Sequence, residues 1–210
     1  MINPMRPATE SRLLRLLDLG ERSISLLLFA GFAVRVIRGM ELHPQNILAL
    51  ISEALVVLFI LFRRYSETVT TRPQDWIAAL MGTMLPLLVR PGGVALVPPD
   101  LAAALMFAGL GLAIWAKLAL RRSFGLAAAN RGVVQAGPYR FVRHPMYAGY
   151  VLVHLGFLLL NPLALNAVLY AATLGCQIWR ILAEERVLAG DPQYAALMRQ
   201  ARFRLIPWVF

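Results

Sequence analysis

Long apolar stretches constrain the fold of this sequence more than any other feature. A helix that crosses a bilayer needs about 20 predominantly apolar residues. Four stretches reach or approach that length, namely Ser23–Ile37, Ile47–Phe62, Trp76–Val89 and Leu101–Leu120. Hydrophobic residues make up 59% of the 210 residues and charged residues 15%, whereas soluble domains are about 45–50% apolar and about 25% charged. One soluble core cannot bury this excess, so the sequence predicts an integral membrane protein.

A fifth apolar region, Met146–Leu182, is interrupted by Asn161-Pro162. Asparagine before proline favours a turn, and the missing proline N–H breaks a helix. We therefore expect a helical hairpin, Met146–Leu160 and Leu163–Arg186, whose first arm is short for a full crossing of the bilayer. With the four spans, the hairpin gives an all-α fold, a polytopic membrane helical bundle.

Basic residues are concentrated in alternate connecting segments, and this pattern predicts the orientation of the chain in the membrane. The net charge is +10, and Lys117 is the only lysine. The basic segments are the N-terminus (Arg6, Arg12, Arg15, Arg22), the second loop (Arg63, Arg64, Arg72), the fourth (Lys117, Arg121, Arg122, Arg131, Arg140, Arg143) and the tail (Arg186, Arg199, Arg202, Arg204). Positively charged loops favour the cytoplasmic side, so both termini are expected there, in the inner membrane if the chain is bacterial. Because the arginines are interleaved with apolar runs, a lipid bilayer is a better partner than nucleic acid.

The N-terminal residues alternate leucines with charged residues at helical spacing, which predicts an interfacial amphipathic helix over residues 1–22. Four membrane spans would follow over residues 23–120. Residues 121–210 would hold a polar loop, the hairpin and the tail, so the chain is predicted to be a single membrane domain. Within the spans, Glu53 and Arg35 could pair across adjacent helices.

The polar residues that could carry chemistry are concentrated in the loop before the hairpin. Pro145 suits the first position of a helix, which places His144 at its N-terminus, where free N–H groups favour an anionic ligand. Arg143 adds a planar donor for a carboxylate or phosphate. An arginine-rich loop that binds lipid headgroups would carry the same residues, and both interpretations stay open.

A polar stripe runs along the second arm of the hairpin. Thr173, Gln177, Arg180 and Glu184 recur every three or four residues and share one helix face. Such a stripe is costly in a membrane and usually faces a partner or a cavity. Arg180 and Glu184 could hold a zwitterionic ligand, or they could pair to pack two helices. Glu185 points about 100° away from Glu184.

The chain ends in alternating arginines and bulky apolar residues, Arg202-Phe203-Arg204-Leu205-Ile206-Pro207-Trp208. This alternation predicts a strand-like or interfacial stretch, with Trp208 as an interface anchor. The histidines and the single cysteine lack metal-ligand spacing, so no metal site is predicted.

Several of these segments together resemble a known enzyme superfamily. The run Gly137-Pro138-Tyr139-Arg140-Phe141-Val142-Arg143-His144-Pro145-Met146-Tyr147-Ala148-Gly149 resembles a central motif of the isoprenylcysteine carboxyl methyltransferase and phospholipid N-methyltransferase superfamily. Arg122-Ser123-Phe124-Gly125, Glu184-Glu185-Arg186-Val187-Leu188, Asp191-Pro192-Gln193-Tyr194 and the tail from Arg202 to Pro207 are similar to its other segments. The resemblance covers roughly residues 115–210. Leu197 departs from it, since relatives often have a tyrosine there.

The resemblance implies methyl transfer from S-adenosylmethionine to a lipophilic acceptor, which could be a lipid, a prenyl-type carboxylate, a thiol or an amine. The candidate cofactor-binding residues are Tyr139, Arg143, His144, Pro145, Tyr147, Gln177, Arg180, Glu184, Glu185, Tyr194 and Arg202. The candidate catalytic residues are Glu184, a possible base for an amine acceptor, and Arg204. The sequence indicates no oligomeric state.

Two other functions remain open at this stage. Sterol-type membrane reductases have a similar arginine-proline-tyrosine motif and a basic C-terminal segment, and Arg121 and Arg122 could bind the additional phosphate of NADPH. A non-enzymatic membrane subunit would use the polar stripe as a helix interface.

Overall fold

The computed structural model describes residues 8–38, 44–66, 68–206 and 209–210. These residues form α1 (Ala8–Arg38), α2 (Pro44–Phe62), α3 (Pro73–Met84), α4 (Pro99–Leu120), α5 (Pro145–Leu160), α6 (Ala164–Leu188) and α7 (Pro192–Gln200). Short 3-10 turns follow α3 and α4 and precede α5. Within the described ranges there is no β-strand, only an isolated bridge between Val69 and Ala129. The predicted all-α fold is confirmed.

The first, second and fourth predicted spans lie within α1, α2 and α4, whereas the third, Trp76–Val89, begins in α3 and extends beyond its end at Met84. The expected interfacial segment and the first span form one continuous helix, α1, since no proline interrupts the chain between Ala8 and Arg38; residues 1–7 lie outside the described residues. α3 gives way to a 3-10 turn at Leu85–Leu88, because Pro86 cannot donate a helical hydrogen bond. Among the described residues, the helical stretch Pro99–Ser123 is long and apolar enough to cross a bilayer by itself.

The predicted hairpin is present, but its two arms are splayed. α5 ends and α6 begins on either side of Asn161-Pro162, as expected. α5 packs far more extensively against α4 than against α6, and α6 packs mainly against α3. This separation leaves space between the two arms.

Close packing of α4 and α5 depends on glycine. A Cβ atom on Gly149 would lie 2.6 Å from the Gly109 carbonyl oxygen and 2.8 Å from the Ala113 nitrogen, and one on Gly156 would lie 2.8 Å from the Ala102 carbonyl oxygen. Any side chain at these glycines would push the helices apart. Small residues allow the same close approach between helices in membranes.

The position of Lys117 corrects one sequence prediction. Lys117 was assigned to a cytoplasmic loop, yet it lies within α4 and its side chain is fully buried. Its Nζ lies 3.3 Å from Glu53 Oε1, so the partner found for Glu53 is Lys117 on α4. The side chain of Arg35, the predicted partner, lies outside the described residues. A buried cation needs a nearby carboxylate more than a loop cation does.

The loop after α4 is anchored to the N-terminal half of the chain. Glu21 on α1 is buried and pairs with Arg63, and its Oε2 lies 3.6 Å from the Arg131 side chain. The Leu126 and Ala127 backbone N–H groups both donate to Glu21 Oε1. A carboxylate of the first helix therefore fixes the backbone of the polar loop.

Residues 201–206 and 209–210, the described part of the tail after α7, contain no strand, which corrects the strand-like alternative predicted for the tail. Its backbone nevertheless pairs with the entrance to α5: the Arg143 N–H donates to the Phe203 carbonyl at 3.0 Å, and the His144 N–H donates to the Arg204 carbonyl at 2.8 Å. Pro207 and Trp208 lie outside the described residues. The last described residue, Phe210, accepts hydrogen bonds from the Arg204 and Leu205 N–H groups through its carbonyl.

Candidate active site

A polar cavity of about 90 Å³ lies where the loop after α4 meets the ends of α5, α6 and α7. Six of the predicted site residues line it: Tyr139, Arg143, His144, Tyr147, Glu184 and Tyr194. Leu197, the departure from the family pattern, also lines it. The cavity combines aromatic rings with one carboxylate, one imidazole and two guanidinium groups, those of Arg131 and Arg143.

His144 lies between two carboxylates of α6. Its Nδ1 is 3.5 Å from Glu184 Oε2, and its Nε2 is 3.4 Å from Glu185 Oε1. The two glutamates project from α6 in different directions. Because the two nitrogens lie on opposite sides of the imidazole ring, one histidine contacts both glutamates. Burial alone would lower the pKa of His144, but hydrogen bonding to the two glutamates and their charges outweigh it and raise that pKa.

Glu184 also accepts a hydrogen bond from the Tyr147 hydroxyl. The other face of the Tyr147 ring lies 5.2 Å from the Arg180 guanidinium, a distance suited to a cation–π interaction. Arg180 in turn donates to the Leu126 carbonyl at 3.0 Å. The predicted pairing of Arg180 with Glu184 is therefore indirect, with Tyr147 between them.

Glu185 is held by two arginines from different segments. Arg143 Nε donates to Glu185 Oε1 at 2.9 Å, and Arg204 Nε and an Arg204 terminal nitrogen donate to Oε2 at 2.9 and 2.8 Å. Arg143 also donates to the Ala201 and Arg202 carbonyls. Glu185 therefore ties the loop before α5 to the tail.

The Tyr194 hydroxyl at the polar cavity is buried and has no hydrogen-bond partner among the described residues, and His144 Nε2 has only the 3.4 Å contact with Glu185. Burial raises the pKa of Tyr194, with the charge of Glu185 adding to the effect. Unsatisfied buried polar atoms are costly, and they are expected where a ligand supplies the missing partner.

A second, larger cavity lies on the other side of Phe124 and Met146. It encloses about 320 Å³ between α1 and α6, and its lining is mainly apolar. Gln177 and Arg180 line this cavity and not the polar one. The polar stripe of α6 is therefore divided, with Glu184 on one side of the shared wall and Gln177 and Arg180 on the other.

The sequence model of the isoprenylcysteine carboxyl methyltransferase (ICMT) family matches residues 102–190. These residues extend from α4 to just beyond α6 and contain the histidine, the tyrosine and both glutamates described above. Over these residues the chain is similar to the isoprenylcysteine carboxyl methyltransferase family. Members of this family are integral membrane methyltransferases, and the resemblance of the sequence motifs is confirmed.

A solved structure of the eukaryotic intramembrane Ras methyltransferase ICMT is also similar, with 19% sequence identity and a TM-score of 0.47. The similarity covers 94% of the present chain and 73% of that protein. No curated protein matches the sequence.

The remaining predicted site residues have different surroundings. Pro145 is buried at the first position of α5. Arg204 and Glu185 bind each other beside the polar cavity, and Arg202 is exposed and lines neither cavity. Arg121 and Arg122, considered for the NADPH phosphate, are exposed and also line neither cavity.

The sequence analysis did not single out Ser123, Arg131 or Glu21 as site residues. Ser123 and Arg131 line the polar cavity, and Glu21 binds the loop that carries them. The segment Arg122-Ser123-Phe124-Gly125 is a signal that could have identified Ser123. No local pattern identifies Glu21, because its backbone partners lie more than one hundred residues away.

Proposed function

We propose that this protein is a member of that family and that it transfers a methyl group from S-adenosylmethionine to a lipophilic acceptor at the cytoplasmic face of a membrane. One observation carries this proposal: a polar cavity with a histidine between two glutamates shares a wall with a larger apolar cavity. A methyltransferase with a polar donor and a lipophilic acceptor needs two such compartments in contact. The acceptor could be a lipid, a prenyl-type carboxylate, a thiol or an amine.

The residues at the polar cavity fit the chemistry of this cofactor. The Tyr194 hydroxyl is a buried group that needs a hydrogen-bond partner, and His144 Nε2 has only a 3.4 Å contact with Glu185. The cofactor has a carboxylate, an amine and ribose hydroxyls. The Glu184 carboxylate and the rings of Tyr139 and Tyr147 favour its sulfonium cation. Cavities that enclose a small molecule measure about 300–1,000 Å³, so the cavity of about 90 Å³ would enclose one end of the cofactor.

We propose that the other predicted residues act around that end. Pro145 fixes the entrance to α5, and Arg143 and Glu185 hold the loop and tail together. Gln177 and Arg180 would lie at the boundary with the acceptor, and Arg202 would lie at the exposed rim. Arg204 would act through Glu185, which it binds at 2.8 Å.

When bound, the cofactor supplies an electrophilic methyl group on sulfur. The chain would align the acceptor with that methyl group and exclude water, which are the main requirements of an in-line displacement. A carboxylate or thiolate acceptor needs little or no proton removal. For an amine acceptor, Glu184 would accept the proton, since it faces the cavity and is held in place by Tyr147 and His144.

We further propose that the chain crosses the membrane several times, with four spans, a C-terminal hairpin and both termini in the cytoplasm. The contacts between the second and fourth basic loops support this topology. The Arg64 N–H donates to the Arg122 carbonyl, and the Thr70 N–H donates to the Ala128 carbonyl. The two basic loops therefore lie on one side, as the positive-inside rule requires.

Titration of the purified protein with S-adenosylhomocysteine, the product of the cofactor, tests the proposal. We expect saturable heat by calorimetry, and at least tenfold weaker binding for His144→Ala and Glu184→Gln. Arg199→Ala, an exposed charge on α7, is the matched control and should bind normally. No binding to the wild type at millimolar ligand would contradict the proposal, and saturable binding of NADPH instead would support the reductase alternative.

Methyl transfer itself is tested by incubating the protein with lipid extracts and an isotope-labelled methyl donor. Mass spectrometry should find the label in a lipophilic product. If no extract yields a labelled lipophilic product, the proposed activity is contradicted, even if S-adenosylhomocysteine binds.

A further inference from the structure

The apolar cavity has one polar end and one aromatic end. The polar end is formed by Gln177 and Arg180 on α6, and the aromatic end by Tyr170 on the same helix, with His154 and Phe157 of α5. Its volume of about 320 Å³ lies at the lower limit for cavities that enclose small molecules. The cavity therefore suits a small, mainly apolar ligand that carries a polar group, and Glu53 of α2 also lines it.

The polar end has unused hydrogen-bonding capacity. Gln177 and Arg180 are only 2% and 7% exposed, and Gln177 Oε1 and Arg180 Nε have no hydrogen-bond partner among the described residues. A buried glutamine oxygen and a buried guanidinium N–H without partners are costly. An oxygen-containing polar group on a ligand would satisfy the Arg180 N–H, and the Gln177 amide could bind the same group.

The aromatic end is built from stacked rings. The Tyr170 ring lies 4.5 Å from the His154 ring at an interplanar angle of 18°, and Phe157 meets Tyr170 edge-on at 6.1 Å. Beyond these rings, Asn166 binds both the N–H and the carbonyl of Arg90, which ties the segment after α3 to the start of α6. The rings are thus supported from behind by a fixed segment of the chain.

The distance between the two ends limits the length of a ligand. Tyr170 and Arg180 lie nearly three turns apart on α6, and a rise of about 1.5 Å per residue gives about 15 Å between them. This is about half of the hydrocarbon thickness of a bilayer, which is about 30 Å. A chain that reached from Arg180 to beyond Tyr170 would displace the stacked rings.

We propose that the apolar cavity binds the acceptor's tail as a single hydrocarbon chain, with its polar group at Gln177 and Arg180, and that Tyr170 sets the longest chain accepted. This inference rests on the proposed methyltransferase function, and it adds a length limit and a specificity-determining residue. Straight acyl-type and branched prenyl-type chains share this chemistry.

A chain-length series measures the limit by binding. Wild-type protein in lipid nanodiscs is loaded with a fluorescent fatty acid, which is then displaced by straight-chain carboxylates from octanoate to octadecanoate. A second series uses prenyl-type carboxylates of matched length. When affinity is expressed against the free aqueous concentration of the carboxylate, we expect it to rise about three- to fourfold for each added methylene until the chain reaches Tyr170, and then to stop rising. The series with the tighter binding at its optimum identifies the preferred type of chain.

Variants at the two ends have different expected effects. Tyr170→Ala should move the optimum to longer chains, and Val153→Phe, which fills the middle of the cavity, should move it to shorter ones. Gln177→Leu should weaken binding at every length by a similar factor, about tenfold. Val168→Ala, on the exposed face of α6, is the control and should leave the optimum unchanged. An optimum that stays the same in both Tyr170→Ala and Val153→Phe would overturn the proposal.

Titration of the same preparations with S-adenosylhomocysteine separates this inference from the proposed function. If S-adenosylhomocysteine binds normally but the chain-length optimum of Tyr170→Ala equals that of the wild type, only the length limit is overturned. If the optimum shifts in Tyr170→Ala but S-adenosylhomocysteine does not bind, the methyltransferase proposal is overturned and the length limit is retained. If Tyr170→Ala does not fold, Tyr170→Leu keeps an apolar side chain at that position and should still shift the optimum.

Discussion

The Arg180 guanidinium lies 5.2 Å from the centre of the Tyr147 ring, and the hydroxyl of that ring donates to Glu184. Arg180 lines the apolar cavity, whereas Tyr147 and Glu184 line the polar one. Tyr147 therefore links a residue of the apolar cavity to a residue of the polar cavity, beside the wall that Phe124 and Met146 form between them.

Replacing Tyr147 with phenylalanine removes the hydroxyl and keeps the ring against Arg180. A hydrogen bond to a charged group contributes about 1.5–3 kcal/mol, so we expect S-adenosylhomocysteine affinity to fall about tenfold or more in calorimetry. Tyr150→Phe, one turn along α5 and facing the apolar cavity, should bind the product like the wild type. Equal affinities for the two variants would contradict the role assigned to the Tyr147 hydroxyl.

Glu21→Gln should destabilise the protein strongly. Its carboxylate is buried, pairs with Arg63 and accepts two backbone N–H groups of the polar loop. Removing one partner of a buried ion pair typically costs about 3–5 kcal/mol. Thermal unfolding in detergent should show a large fall in Tm and a loss of product binding.

Asp18→Asn is the matched comparison for Glu21→Gln, because Asp18 also binds Arg63 but is partly exposed, at 20%. Water reaches Asp18, and Arg63 keeps Glu21 as a buried partner when Asp18 is neutralised, so Asp18→Asn should lower Tm less than Glu21→Gln. Equal effects of the two substitutions would contradict the anchoring role of Glu21.

The raised pKa of His144 makes stability depend on pH. Protonated His144 lies between two carboxylates, so the folded state holds its proton more tightly than the unfolded state, whose pKa is about 6.5. The stabilisation is complete below about pH 6.5 and is lost as the pH rises through the raised folded-state pKa. The Tm difference between wild type and His144→Gln should therefore shrink from pH 6 to pH 9, an interval chosen around that ordinary value. A difference that grows with pH would contradict the assignment.

A side chain at Gly149 should separate α4 from α5. A Cβ atom there would lie 2.6 Å from the Gly109 carbonyl oxygen, and overpacking of this kind costs about 1–3 kcal/mol. Gly149→Ala should therefore lower Tm, whereas Gly111→Ala, with nothing within 4 Å of the added atom, should leave it unchanged or raise it. Alanine stabilises a helix interior by up to about 1 kcal/mol relative to glycine. A Tm for Gly149→Ala as high as that for Gly111→Ala would contradict the close packing.

Much of the fold could be predicted from local sequence features. Apolar stretches gave the helices, and Asn161-Pro162 gave the break between α5 and α6, because proline cannot donate a helical hydrogen bond. Pro145 correctly placed His144 at the start of α5. The local sequence also gave the segments of the site in order, but the motifs did not indicate that Gln177 and Glu184 line separate cavities.

The amino-acid sequence by itself determined the helices, their breaks and the residue types brought to the polar loop, because apolar periodicity, proline geometry and short motifs act over a few residues. Only the tertiary structure decided which groups meet. Lys117 and Glu53 pair inside the bundle, Glu21 binds the backbone at Leu126, and one histidine contacts both glutamates. These contacts join distant segments, and they form because burial removes water from charged groups, which must then find partners wherever the packed helices bring them together.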